Sequence, residues 1–240
     1  MLEAETGAPD RGVLNLRVGG ICLLVGAVLF ATVRLLHGDT PAADAEASLN
    51  FVQHRSTYAA VHVSAALIML VTLTGLMALA RSLTHPVSWL VGQSAVASAL
   101  AGWAVFTMES TSEGLALPVL AKAAATSDPD RRTELIRAAR AVAEGTYGPS
   151  LAAMALMVGV PLLLLGTAMA LDLYPSWLGW IGAVIGAATA AGAVSLYLRP
   201  SLFPGFLLYG VLGSVIAQLW LAGTGAAMLR RSTRVEPRLR

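Results

Sequence analysis

The sequence predicts an all-α polytopic membrane protein, with six transmembrane helices and two short amphipathic helices on the outer face. Three observations carry this. Of 240 residues, 56% are hydrophobic and only 12% charged, about half the charged share of an ordinary soluble domain. The apolar residues gather in six runs of about 20 residues or slightly more, enough at about 1.5 Å of rise per residue to cross a hydrocarbon core of about 30 Å. Apart from Arg17 and Arg34 near the ends of the first run, the charged residues lie between or beyond them. With no water to satisfy a bare backbone, such runs must be helices. A net charge of only +2 and the single Cys22 exclude a disordered chain, an intramolecular disulfide scaffold and a typical nucleic-acid binder.

Residues 1–13 form a tail holding Glu3, Glu5 and Asp10. The first span follows over 14–36. Acids precede it, and Leu35, Leu36 and His37 stand where a cleavage site would need small residues, so it reads as a retained span and not a cleaved signal. The second span, 57–80, holds one ionisable residue, His62. The third, 87–108, ends at Glu109. The fourth occupies 149–171 after Gly148-Pro149, the fifth 177–197 and the sixth 206–229. Residues 230–240 form a basic tail with Arg230, Arg231, Arg234, Arg238 and Arg240.

Two segments between spans carry helix signals. Thr40-Pro41 offers an N-cap and a first-turn proline, with Ala42, Ala45, Leu49 and Val52 on one face. Asp128-Pro129 opens a second stretch, with Leu135, Ile136, Ala139, Val142 and Ala143 at helical spacing and Arg137, Arg140 and Glu144 opposite. That helix is expected on the membrane surface or capping the bundle, within an outer cap of about 110–147.

Orientation follows from the short loops. With both termini in the cytoplasm, Arg11, Arg17, Arg81 and the arginine tail lie inside, and the first outer loop carries Asp39, Asp44 and Glu46 against Arg55. An even number of spans also requires both ends on one side. The arginine-rich, lysine-poor, Ala- and Gly-rich composition is typical of a bacterial chain, so the expected location is the bacterial inner membrane. Trp89, Tyr174, Trp177 and Trp180 are expected as anchors at the inner boundary, and Tyr58, Tyr147 and Tyr197 at the outer one.

Packing signals are plain. Ser94, Ser98 and Gly102 recur every fourth residue in the third span, and Gly182 and Gly186 have the GxxxG spacing in the fifth. Such faces admit a close neighbour, either another helix of the chain or a membrane-protein partner. Gly159-Val160-Pro161 should bend the fourth span and free the Met157 carbonyl. Gln93 and Gln218 are expected to hydrogen-bond between helices.

Chemistry is sparser. No span has a carboxylate near its midpoint, which argues against an ion-driven pump. The chain has no HExxH, Cys-x-x-Cys, G-x-S-x-G or Walker-type loop, and no cofactor is specified. The ionisable groups collect at the outer helix ends: Arg34 closes the first span, His62 lies inside the second and Glu109 closes the third. Should the second helix begin early, His54, Tyr58 and His62 form one stripe; Glu109 and Glu113 share a face if the third continues outward. These residues offer an interfacial Arg34–Glu109 ion pair, a ligand pocket or, with His54, His62 and Glu109, a metal site.

The Arg-flanked first span with its Gly pair (Arg17, Gly19, Gly20), the short outer helix and the Tyr58…His62 opening of the second span resemble the small six-span bacterial integral membrane proteins classed as domains of unknown function. The resemblance spans about residues 14–230 and implies no active site. The expectation is a protein that binds or passes a small or lipid-like molecule through an outward-facing pocket between the first three helices, with Arg34, His62 and Glu109 lining it and Tyr58 and Glu113 at its rim. The alternatives are an accessory subunit of a membrane assembly and a metal-dependent enzyme acting on lipid or prenyl substrates.

Overall fold

A helix that is apolar on every side can bury only one face against its own chain, and the remainder must meet lipid. The computed structural model describes residues 11–38, 40–41, 44–205 and 207–235. The sequence features at Glu3, Glu5, Asp10, Asp39, Ala42, Phe206, Arg238 and Arg240 lie outside them. Among the described residues there is no strand, and six helices are long and apolar enough to cross a membrane. Val28, Leu67, Val184 and Leu219 are each more than half exposed on their flanks, an arrangement water would not tolerate and a bilayer requires.

The elements are α1 (Arg11–His37), α2 (Ala45–Gln53), α3 (Tyr58–Arg81), α4 (Pro86–Ala125), α5 (Pro129–Ala153), a π-helical stretch Met154–Gly159, α6 (Val160–Ala170), α7 (Ser176–Leu198), a second π-helical stretch Leu207–Ile216, and α8 (Ala217–Val235). Neighbours in sequence are neighbours in space: α1 packs on α3, α3 on α4, α4 on α6 and α6 on α7. The ring closes where α8 lies against α1. There Gly20 and Gly225 face each other so closely that a Cβ on either would meet the other's carbonyl oxygen at 2.8 and 2.7 Å.

The stretch between the third and fourth spans is not a separate surface helix. The 40-residue α4 runs about 60 Å, twice the hydrocarbon thickness. It continues through Pro118, turns at Thr126–Ser127 and returns as α5, which Asp128 caps by accepting from Arg131 N at 3.0 Å. Helix α5 then runs on through Pro149 into the fourth span. A proline removes one helical donor, and packing on both sides outweighs that loss here. The amphipathic face read from the sequence is real, but it covers protein: Leu135 and Ala139 are buried with Leu117, Ala121 and Ala124 of α4 and with Leu49 and Val52 of α2. We call this the hairpin end.

Helix α2 begins later than the Thr40-Pro41 signal predicts. Its N-cap is Asp44, whose Oδ1 accepts from the Glu46 and Ala47 amides at 3.0 Å. Before Pro161, the predicted break takes the form of the π-helical stretch, one wide turn that accommodates the missing donor without ending the helix.

The small-residue faces are filled internally at Ser98, Gly102, Gly182 and Gly186, whereas Ser94 is exposed and donates to Leu90 O of its own helix at 3.1 Å. Ser98 Oγ donates to Leu156 O at 2.8 Å, Gly102 lies against the Met157 backbone, and Gly186 lies against Leu163. Gly182 receives the Trp220 indole, whose Nε1 donates to Leu178 O at 2.8 Å. Gln218 turns back on its own segment, Nε2 donating to Gly213 O at 3.1 Å, so it does not bridge helices through that group. Tyr174 is buried, not a lipid anchor: its hydroxyl meets Ser82 Oγ at 2.5 Å, and the Arg231 guanidinium lies 5.0 Å from its ring centre. Trp89, Trp177 and Trp180 remain exposed at that same end of the bundle.

Candidate functional site

At the hairpin end, three helices bring polar side chains to one point. Helix α1 stops at His37 because Gly38 takes a φ of +69°, a conformation suited to glycine. The carbonyls left open by that ending are satisfied from across the gap: Arg55 Nη1 donates to Leu36 O at 2.9 Å and to His37 O at 3.2 Å. Arg34 Nη1 donates to Gly38 O at 2.7 Å. The last turn of α1 is thereby tied to the linker entering α3.

Helix α3 opens with Tyr58 and places His62 one turn further on, both buried at 2% and 6% exposure. Tyr58 is therefore not the boundary anchor expected of it. Gly114 of α4 makes the burial of His62 feasible, since a Cβ there would stand 2.6 Å from His62 Cβ and 2.8 Å from Cγ. Helix α4 supplies Glu109 and Glu113, one turn apart and partly buried. At that spacing the two acids share one face of the helix.

The ring centres of His37 and His62 are 4.8 Å apart, and those of Tyr58 and His62 are 4.5 Å apart. His37 Nδ1 donates to Gly38 O at 2.8 Å, and His62 Nδ1 donates to Tyr58 O at 2.9 Å. A carbonyl can only accept, so each Nδ1 carries the proton and each Nε2 of the neutral ring presents a lone pair. Those two Nε2 atoms face each other at 3.3 Å. The Tyr58 hydroxyl donates to Glu113 Oε1 at 2.8 Å, with Thr40 Oγ1 at 3.4 Å. The ligating atoms of His37, His62 and Glu113 all lie within 4.8 Å of one another.

Of the residues read from the sequence, Tyr58, His62 and Glu113 meet here, with Glu109 a turn behind. Arg34 serves the end of α1, and among the described residues no ion pair joins it to Glu109. His54 stands apart: α3 begins at Tyr58, so no stripe reaches back to it, and its exposed ring is held by Asn50 O at 2.7 Å just past the end of α2. The residue that sequence reasoning left out of the site is His37. It lies 25 positions from its partner, and the one signal for it was the His37-Gly38 helix ending, which sets it at the same end of the bundle as Glu113. Above the cluster, α2, α4 and α5 enclose a separate cavity of about 150 Å³, beside the 2.8 Å Arg132–Glu46 ion pair.

A polytopic bundle of six membrane-spanning helices with a part-buried histidine–carboxylate cluster at one end is the class that these features define. The chain belongs to the family described as Domain of unknown function (DUF4386), whose model matches residues 18–225. That match runs from the second turn of α1 into α8 and includes every residue of the cluster. No curated protein and no solved structure matches the chain.

Proposed function

We propose that this is a ligand-binding multi-pass protein of the bacterial inner membrane, with cytoplasmic termini and the hairpin end outside, which takes a small cationic ligand at the α1–α3–α4 cluster. The cation is either free or carried on a lipid headgroup. The observation that carries the reading is the 3.3 Å approach of two imidazole lone pairs. Such an approach is unfavourable until positive charge joins them, and Glu113 lies beside it with Glu109 a turn behind. The orientation rests on Arg81, Arg230, Arg231 and Arg234 at the end opposite the hairpin.

The test is thermal unfolding of the detergent-purified full chain against a panel of cations. The panel holds alkali, alkaline-earth and transition-metal chlorides, choline, ethanolamine and short-chain phosphatidylcholine and phosphatidylethanolamine. A cation that raises the midpoint of the native chain and leaves a His62→Ala/Glu113→Gln double variant unmoved supports the reading. A panel that moves both proteins equally removes it.

A further inference from the structure

We infer that His37, His62 and Glu113 form a site for a divalent metal ion of the zinc type; this rests on the cationic-ligand reading and names the cation. The first argument is metric. Two nitrogens bound to a tetrahedral ion at about 2.0–2.1 Å stand about 3.3–3.4 Å apart, and the His37 and His62 Nε2 atoms are 3.3 Å apart. The widest separation in the three-residue set is 4.8 Å, so the carboxylate closes by about 1.5 Å, within the reach of a glutamate side chain, to complete the same spacing.

The second argument is independent of those distances. Metal-binding histidines give their other ring N–H to a carbonyl or carboxylate, and metal-binding carboxylates accept a further hydrogen bond. All three residues have such a support: Gly38 O for His37, Tyr58 O for His62 and the Tyr58 hydroxyl for Glu113. The tautomer this enforces, Nδ1–H on both rings, leaves both Nε2 atoms free to coordinate. Arg55, gripping the last carbonyls of α1, and Gly114, against which His62 lies, fix the two rings from behind.

Ligand type selects the ion. Two imidazole nitrogens and one carboxylate oxygen suit zinc and its transition-metal neighbours, whereas magnesium and calcium take oxygen shells. Two neutral imidazoles leave the ion's charge to the acids, of which Glu113 is the one that reaches the set. Three protein ligands leave a fourth position for water or an incoming donor atom.

The experiment uses the full chain with a non-histidine affinity tag, stripped with chelator in mild detergent and titrated with Zn²⁺ against a chromophoric competitor. Expected is one Zn²⁺ per chain, with affinity falling about 100-fold in His37→Ala and in Glu113→Gln and about tenfold in Tyr58→Phe. His54→Ala and His85→Ala should bind as the native chain does. Co²⁺ in place of Zn²⁺ should give the intense visible bands of a tetrahedral site. Binding that is unchanged in the His37→Ala/Glu113→Gln double variant, or weak octahedral Co²⁺ bands, overturns the assignment. If either variant fails to fold, X-ray absorption on the zinc-loaded native chain decides: imidazole scattering with a light-atom shell supports the site, and a sulfur or all-oxygen shell overturns it. Absence of zinc binding, with ammonium compounds still stabilising the native chain alone, removes the metal and leaves the cationic-ligand reading standing. Absence of both removes the two together.

Discussion

Tyr58 and Glu113 are joined across the α3–α4 seam by a 2.8 Å hydrogen bond, and the main-chain carbonyl of the same tyrosine orients the His62 ring at 2.9 Å. One residue thus positions two members of the cluster through different atoms. Substitution can separate these roles, because only the hydroxyl belongs to the side chain.

Tyr58→Phe is expected to keep the His62 orientation and lose the support of Glu113. Folding stability should fall by about 1 kcal/mol, the usual worth of a hydrogen bond within a membrane bundle. Zinc affinity should fall in competition titrations while helical circular dichroism is retained.

Gly114→Ala places a methyl group against His62, where the ring has no room to retreat. Overpacking of this kind costs about 1–3 kcal/mol, and the displaced ring should weaken zinc binding as well. Gly145→Ala is the matched control. Nothing lies within 4 Å of a Cβ there, and removal of glycine from a helix interior should raise stability by about 0.5–1 kcal/mol. Thermal unfolding of the two variants in one detergent compares them directly.

Trp220→Phe removes a hydrogen bond to Leu178 O and part of the surface filling the Gly182 face. A loss of about 1–2 kcal/mol is expected. Because the indole is 3% exposed, the substitution should also remove the most blue-shifted component of the tryptophan fluorescence.

Asp172 links the two short loops at the end opposite the hairpin. It accepts from Thr84 N at 2.9 Å, His85 N at 2.8 Å, Thr84 Oγ1 at 3.0 Å and Leu173 N at 2.7 Å. Partial burial pushes its carboxyl upward, but the amides of His85, Leu173 and Thr84 together outweigh that and hold it below the usual aspartate value. A lowered value in the folded chain means stability that is full above about pH 4 and is lost as the pH falls through the folded-state value. Asp172→Asn should therefore lower the unfolding midpoint at neutral pH by an amount equivalent to about 1 kcal/mol or less, given its exposure. It should also flatten the acid limb of a midpoint-against-pH series; an acid limb as steep as the native one would refute the role.

Much of the architecture was legible in the sequence, because hydrophobic runs of bilayer length have no other stable form. The hairpin was not, since Gly148-Pro149 reads as the start of a new span when only local propensity is weighed, and the burial of Leu135 and Ala139 between helices is a tertiary effect. The same blindness hid Tyr58, whose amphipathic ring suits a boundary and whose burial depends on Glu113 reaching it from another helix. His37 carried no spacing signal because its partner belongs to a different span. The π-helical turn before Pro161 was half legible: the proline announced a disturbance, while the close approach of Gly102 to the Met157 backbone belongs to tertiary packing.

The glycine seam of α1 and α8 has a consequence for biogenesis. Of the six described spans it unites the first in chain order with the sixth, so α1 waits in lipid with an uncovered flank until the intervening four have been threaded through the insertion machinery. A translation product stalled ahead of α8 is then a five-span species with a naked glycine face, the form that quality-control proteases in the membrane would encounter.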